Sequence, residues 1–164
     1  MKRIIRNFAN KLDLMYNPST IANYFVTKYG KEGELTPMKL LKLTYIAQGW
    51  YLALTDGKQK LIDEDVEAWD YGPVFPSLYR NLRQYGRKIV TDSIPNSTEK
   101  KVTETDAKFL DTIWSRYGVY DGVVLSAMTH TDGTPWKEYY GKSKNAIIPT
   151  KVIFDHYKSK IKVA

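Results

Sequence analysis

The stretch ELTPMKLLKLTYIAQGWYLALTDG, residues 34 to 57, constrains the fold more than any other part of the chain. Leu40, Leu43, Ala47, Trp50 and Leu54 recur at helical spacing along one stripe, and Leu41, Tyr45 and Leu52 along a second. Few of its positions are charged. A helix apolar on nearly every side has no face to give to water, so it must be wrapped by other elements. Thr36 is placed to accept a hydrogen bond from a free N–H of the first turn, and Pro37 suits the first helical position. Asp56-Gly57 closes the helix in a turn. The segment is therefore predicted to be the central buried helix of a single domain.

The flanking segments supply the wrapping. Asn17-Pro18-Ser19 is a helix-start signal, after which Ile21, Phe25, Val26 and Tyr29 share a face and Gly30 ends the run. In DEDVEAWDYGPVFPSLYRNL the period changes: Val66 and Ala68 alternate with Glu67 and Trp69, which predicts a short strand broken at Tyr71-Gly72-Pro73. Pro76 opens a helix carrying Leu78, Tyr79, Leu82 and Tyr85. KIVTDSI, residues 88 to 94, is expected to be a second short strand, and residues 95 to 105 a polar connector. Thr103 to Asp106 reads as a capping box with aspartate in the glutamate place. Phe109, Leu110, Ile113, Trp114 and Tyr117 then lie on one face. Asp121 can cap a short helix through Val124, Leu125 and Met128, and Ile153, Tyr157 and Ile161 suggest a last helix. The predicted fold is mainly α (α+β): a compact single-domain helical bundle around a central buried helix, with a small β-hairpin or short sheet. Residues 1 to 16 stand apart as an amphipathic extension, with Ile4, Ile5, Phe8, Leu12 and Met15 at helical spacing among Lys, Arg and Asn. This extension suits either a short helix lying on the core or a docking segment for a partner. The domain is expected to run from 17 to 164.

Composition narrows the chemistry. No cysteine occurs among the 164 residues, which removes disulfides, thiolate catalysis, iron–sulfur clusters and cysteine-based zinc sites. No apolar run approaches the ~20 residues of a membrane span, and the basic start MKRIIRNFANKLDLMY lacks the long apolar centre and cleavage site of a secretory signal. A cytoplasmic location is expected. The net charge of +7 invites a nucleic-acid reading. However, the basic residues gather at the two ends (Lys2, Arg3, Arg6, Lys11; Lys151, Lys158, Lys160, Lys162), while Asp63, Glu64, Asp65 and Glu67 form an acidic run between them. A protein partner with acidic patches accounts for this segregation at least as well. Walker loops, Gly-x-Gly-x-x-Gly and His-Glu-x-x-His are absent, and the two histidines, His130 and His156, offer no metal-ligand spacing. No metal or cofactor is expected.

Ser126, His130 and Asp132 are the parts of a nucleophilic triad, close together in SAMTHTDGTPWKEYY. Yet no nucleophile elbow surrounds Ser126, and Ser126 to His130 is one helical turn, the spacing of ordinary neighbours. A structural reading is more economical. His130 sits at a helix C-terminus, Asp132, Gly133 and Thr134 form a turn, Pro135 starts another helical turn, and Trp136 anchors it by burial.

Three blocks, TPMKLLKLTYIAQGWYLAL, EDVEAWDYGPVFPSLYRNL and LSAMTHTDGTPWKEYY, resemble in order and spacing the hallmark blocks of the Panacea domain. This is the SocA-like antitoxin domain, also seen in phage-associated GepA-like proteins. The matching positions are Lys42, Tyr45, Gln48, Gly49, Trp50 and Tyr51; Trp69, Tyr71, Gly72, Pro73 and Tyr79; and Leu125, Thr129, His130, Pro135 and Trp136. The resemblance implies a compact, mainly helical domain without enzymatic activity that neutralises a cognate protein toxin by direct contact. In the SocA case it implies an adaptor that delivers a toxin to a protease. Competing readings are a nucleic-acid-binding transcriptional regulator and a phage-encoded interaction protein. The toxin-facing surface is expected at the N-terminal segment and the 63 to 75 element, with Arg3, Arg6, Phe8, Asp65, Glu67 and Phe75 as contacts.

Overall fold

The computed structural model describes residues 15–95 and 101–161. Within them the order is α1 (Pro18–Tyr29), α2 (Pro37–Leu54), β1 (Val66–Trp69), β2 (Gly72–Val74), α3 (Pro76–Leu82) with a 3-10 turn at Arg83–Tyr85, α4 (Glu104–Tyr117), α5 (Gly122–His130), α6 (Pro135–Tyr139), β3 (Ile147–Ile148) and α7 (Thr150–Ser159). The starts follow from the sequence. Pro18, Pro37, Pro76 and Pro135 occupy first-turn positions, where a missing N–H costs nothing. Asn17, Thr36, Thr103, Asp121 and Thr134 each accept a hydrogen bond from the backbone N–H three residues on, at 2.8 to 3.3 Å. Each such cap is worth about 0.5–2 kcal/mol.

Helix α2 is the axis of the bundle, as its two-striped pattern predicts. Every residue from Lys39 to Ala53 is buried. It packs against α1, α3, α4, α5, α7 and β2. Leu40, Leu43, Ile46 and Leu52 are almost completely withdrawn from water, and each such side chain contributes about 1.5–3 kcal/mol by burial. Helix α1 is latched to α4 through Asp111, whose carboxylate accepts from the hydroxyls of Tyr24 (2.7 Å) and Tyr29 (2.6 Å) and from Lys28 (2.7 Å). Tyr29 also stacks on Trp114 with centroids 4.6 Å apart. Burial first, and the bond to Asp111 second, push the Tyr29 hydroxyl up to about 12.

The sheet has three antiparallel strands in the order β2-β1-β3. The β1–β2 register pairs Trp69 with Gly72, so the chain reverses at Asp70 and Tyr71, and the strand resumes at once instead of breaking at Tyr71-Gly72-Pro73. The expected second strand over residues 88 to 94 does not form. That segment runs as coil, with Val90 N–H bonded to the Leu35 carbonyl (2.8 Å) and Ile94 N–H to the Asn23 side chain (3.0 Å). Its apolar alternation plugs Val90 and Ile94 into the core without a strand to pair with. The third strand is Ile147–Ile148, whose two residues pair with Glu67 and Val66.

Tyr16, the last residue of the expected extension, packs with the helices. Tyr16 is core, 1% exposed, and exchanges backbone bonds with Leu61 and Asp63. The capping box is only half formed for the same reason. Thr103 Oγ1 accepts from Asp106 N–H, but the Thr103 N–H donates to the Tyr16 hydroxyl (3.1 Å), which donates to Asp106 (2.9 Å). Aspartate is one methylene shorter than glutamate, and the tyrosine bridges the gap.

Candidate functional site

The three sequence blocks converge on the β1–β2 hairpin. Three carbonyls of this partly buried hairpin take a side-chain donor from another element. The Trp69 carbonyl accepts from the Trp136 indole N–H (2.6 Å), the Tyr71 carbonyl from Ser126 Oγ (2.9 Å) and the Pro73 carbonyl from Lys42 Nζ (3.0 Å). The central helix, α5 and α6 thus each contribute one donor to alternate residues of one turn. Gly72, with φ +116°, makes this possible, because a Cβ there would lie 2.6 Å from Lys42 Nζ.

Lys42 is 1% exposed, and among the described residues its ammonium makes one hydrogen bond, to the Pro73 carbonyl. Burial alone lowers its ammonium from the ordinary 10.5 to about 7. The other matched positions of α2 hold the scaffold. Gln48 clamps the segment before β1, accepting from Leu61 and Ile62 N–H (2.9 and 3.0 Å) and donating to the Ile62 carbonyl (3.2 Å). The indole of Trp50 donates to the Tyr117 hydroxyl (2.7 Å), and Tyr51 donates to Asp106 (3.1 Å). Gly49 gives way to the ring of Tyr157. Tyr45 is buried with a hydroxyl that finds no partner among the described residues, and burial raises its pKa. In the third block Thr129 is buried and bonds back to the Ser126 carbonyl (2.9 Å), Leu125 is core, Pro135 starts α6, and Trp136 is buried beneath His130, edge to face at 5.3 Å.

Two open surfaces flank this knot. One is a cleft of about 400 Å³ between the first half of α2, the hairpin and the end of α3. Met38, Leu41, Val74 and Leu82 form apolar walls, Trp69, Tyr71 and Tyr79 an aromatic side, and Lys42 and Arg83 the cations. Tyr71 is 75% exposed, and Tyr79 packs edge to face on Trp69 at 4.9 Å. The other is the outer face of α5 with the turn before it, where Val119, Tyr120, Val123, Val124 and Met128 are all exposed. The helical spacing of Val124, Leu125 and Met128 reveals the helix but not its outward side. Leu125 alone of the three is buried, and the composition of a nine-residue apolar helix does not say which face is left open.

The expected contacts fare unevenly. Arg3, Arg6 and Phe8 lie outside the described residues. Asp65 is exposed. Glu67 is half-buried and accepts from the Trp69 indole (2.7 Å). Phe75 is fully buried, which corrects its expected place at the surface: the chain turns from β2 into α3 there, and its ring packs into the core. The triad components do not assemble. Ser126 Oγ is 3.3 Å from His130 Nδ1 but bonds the Tyr71 carbonyl, while the Asp132 carboxylate is 97% exposed, faces Lys137 at 3.9 Å and makes no hydrogen bond to His130. Among the described residues no group of three or more His, Asp or Glu side chains could hold a metal ion, and no helix is long and apolar enough to cross a membrane.

What fold and site together define is a small, mainly helical domain with a three-stranded sheet clamped to its central helix. The family model described as antitoxin SocA-like, Panacea domain matches residues 40–137, from the second turn of α2 to the middle of α6, and the chain belongs to that family. Comparison with curated proteins and with solved structures finds no match.

Proposed function

We propose that this protein is the antitoxin of a toxin–antitoxin pair and neutralises its cognate toxin by direct protein–protein contact, either by covering the toxin or by delivering it to a protease. The observation that carries this reading is the open apolar face of α5 on a domain of an antitoxin family. Val119, Tyr120, Val123, Val124 and Met128 cluster on one helix and its leading turn, and contiguous apolar surface of this kind marks interaction sites. The basic ends of the chain, with Arg3 and Arg6, steer a partner of complementary charge, and Phe8 and Asp65 extend the contact.

The test is co-expression with the protein encoded beside this gene, expected to be small and to arrest growth when expressed alone; a harmless neighbour counts against the reading. The wild-type chain restores growth. Val123→Asp with Val124→Asp leaves the melting temperature unchanged, because both side chains face water, and abolishes rescue. Removal of residues 1 to 15 weakens it. Full rescue by both variants refutes the contact surfaces, and failure of the wild-type chain to rescue refutes the antitoxin reading itself.

A further inference from the structure

A lysine withdrawn from water without a carboxylate is a costly arrangement, since the charged form loses its hydration and gains no counter-charge. Lys42 is in this position. It crosses the back of the cleft from α2 to β2, spends one N–H on the Pro73 carbonyl, and forms no ion pair among the described residues. Among the described residues no carboxylate lies within ion-pair distance of its ammonium, and burial lowers its titration. Asp70 also lines the cleft, but its carboxylate accepts from the Tyr140 hydroxyl (2.7 Å) on the outer side. On the rim, Arg83 is exposed and likewise unpaired among the described residues. The cleft thus carries one exposed cation, Arg83, and one buried amine, Lys42, which an entering carboxylate would hold in its protonated form, against one occupied acid, around walls of Met38, Leu41, Val74 and Tyr79.

We propose that this cleft is an anchor pocket for an acidic side chain, an Asp or Glu flanked by an apolar residue, on the surface of the bound toxin. The carboxylate reaches Lys42 at the back and Arg83 at the rim, and the flanking apolar side chain fills the space between Met38, Leu41 and Tyr79. Charge-assisted hydrogen bonds in a partly dry site are the strong ones, and central pockets filled by one anchor dominate interface energetics. The identity of the occupant as a toxin rests on the antitoxin reading; the chemistry of the pocket does not.

The experiment follows methyl and amide NMR spectra of the full chain during titration with three peptides. They are Ac-Gly-Leu-Glu-Phe-Gly-NH2, its Gln counterpart, and the Gln counterpart with a free C-terminus. The capped Glu peptide is expected to bind at least about tenfold more tightly than the capped Gln peptide, moving the Met38 methyl and the Gly72 amide. Lys42→Met erases the preference and Arg83→Gln reduces it. The Arg83 variant and the shift map on the wild-type chain carry the test if Lys42→Met does not fold. Equal affinities, no binding of the Glu peptide, shifts away from the cleft, or binding of the free-ended peptide alone overturns the proposal. Rescue by co-expression reads the antitoxin function separately. A chain that prefers the Glu peptide but rescues nothing keeps the pocket and loses the toxin. A chain that rescues growth but shows no Glu preference loses the pocket alone.

Discussion

Gly49 sits inside α2, where glycine is a poor choice by helix propensity alone: alanine is better by about 1 kcal/mol. The structure explains the glycine by the ring of Tyr157 on α7. A Cβ at position 49 would overlap Tyr157 Cε2 and Cδ2 and stand 2.7 Å from Cζ, well inside the 3.5–4.0 Å of a comfortable carbon contact. The ring cannot slide aside. It is 4% exposed, with Trp50 edge-on at 5.4 Å and Tyr45 at 6.1 Å. Overpacking a filled core costs about 1–3 kcal/mol, and the confinement of this ring argues for the upper end. After the propensity gain, Gly49→Ala should lose about 2 kcal/mol, which for a chain of this size is a fall of about 4–8 °C in melting temperature. Thermal and urea unfolding followed by circular dichroism measure it. Truncating the obstacle reverses the sign. Tyr157→Ala is itself destabilising by about 3–5 kcal/mol, as for other large aromatics, but in that background Gly49→Ala should stabilise by about 1 kcal/mol. The reasoning is refuted if Gly49→Ala stabilises the wild-type chain, or if its effect is the same with and without the ring.

The remaining predictions concern the buried polar groups. Tyr45→Phe removes a hydroxyl that has no partner among the described residues and should leave stability unchanged or raise it, whereas Tyr51→Phe removes a bond to buried Asp106 and should cost about 1–3 kcal/mol; equal losses in denaturant titration would contradict this. Lys42 has a folded pKa of about 7, below its ordinary 10.5. Between those values the unfolded chain holds a proton that the folded chain has released, so the Lys42 contribution to stability increases with pH across that window, by up to about 1.4 kcal/mol per unit. Below pH 7 both states are protonated and the penalty is full and constant. Lys42→Met should therefore be more stable than wild type at pH 6, with the difference shrinking toward pH 10; parallel curves would place the ammonium in solvent.

The central helix was legible because its signal is redundant: two apolar stripes, a capping threonine, a first-turn proline and a closing Asp-Gly all agree. The starts of α1, α5 and α6 were legible for the same reason. The strand predicted at residues 88 to 94 failed because alternation reports which side chains are buried and not whether a partner backbone lies alongside. Ile147–Ile148, two residues long, carries no alternation to read. Tyr16 was assigned to the extension because the helical spacing of apolar residues runs up to Met15, while the contacts that place Tyr16 in the core, with Leu61 and Asp106, lie 45 and 90 positions away. At the site, the motif residues were legible as a set, but their common purpose was not. Lys42 reads as an ordinary polar interruption of α2 until the hairpin carbonyl opposite it is seen.

That purpose accounts for why the three blocks occur together. The donors to the hairpin come from 31, 55 and 67 residues away, so no local pattern couples them. What couples them is the penalty, about 1–3 kcal/mol, for each buried carbonyl left without a donor. Losing any one of Lys42, Ser126 or Trp136 exposes the same turn to that penalty, and losing the turn strands all three donors. Polar knots of this kind are costly when half made and specify one arrangement when complete. In this knot Ser126 donates its hydroxyl to the Tyr71 carbonyl. The side chains free to select a partner are those that the knot holds outward: Tyr71 on the turn, Tyr79 beside it and the outer face of α5. On the antitoxin reading, substitutions at these outward positions redirect the domain to a different toxin without disturbing its fold, whereas loss of the Ser126 or Trp136 donor costs the fold up to about 1–3 kcal/mol whatever the partner.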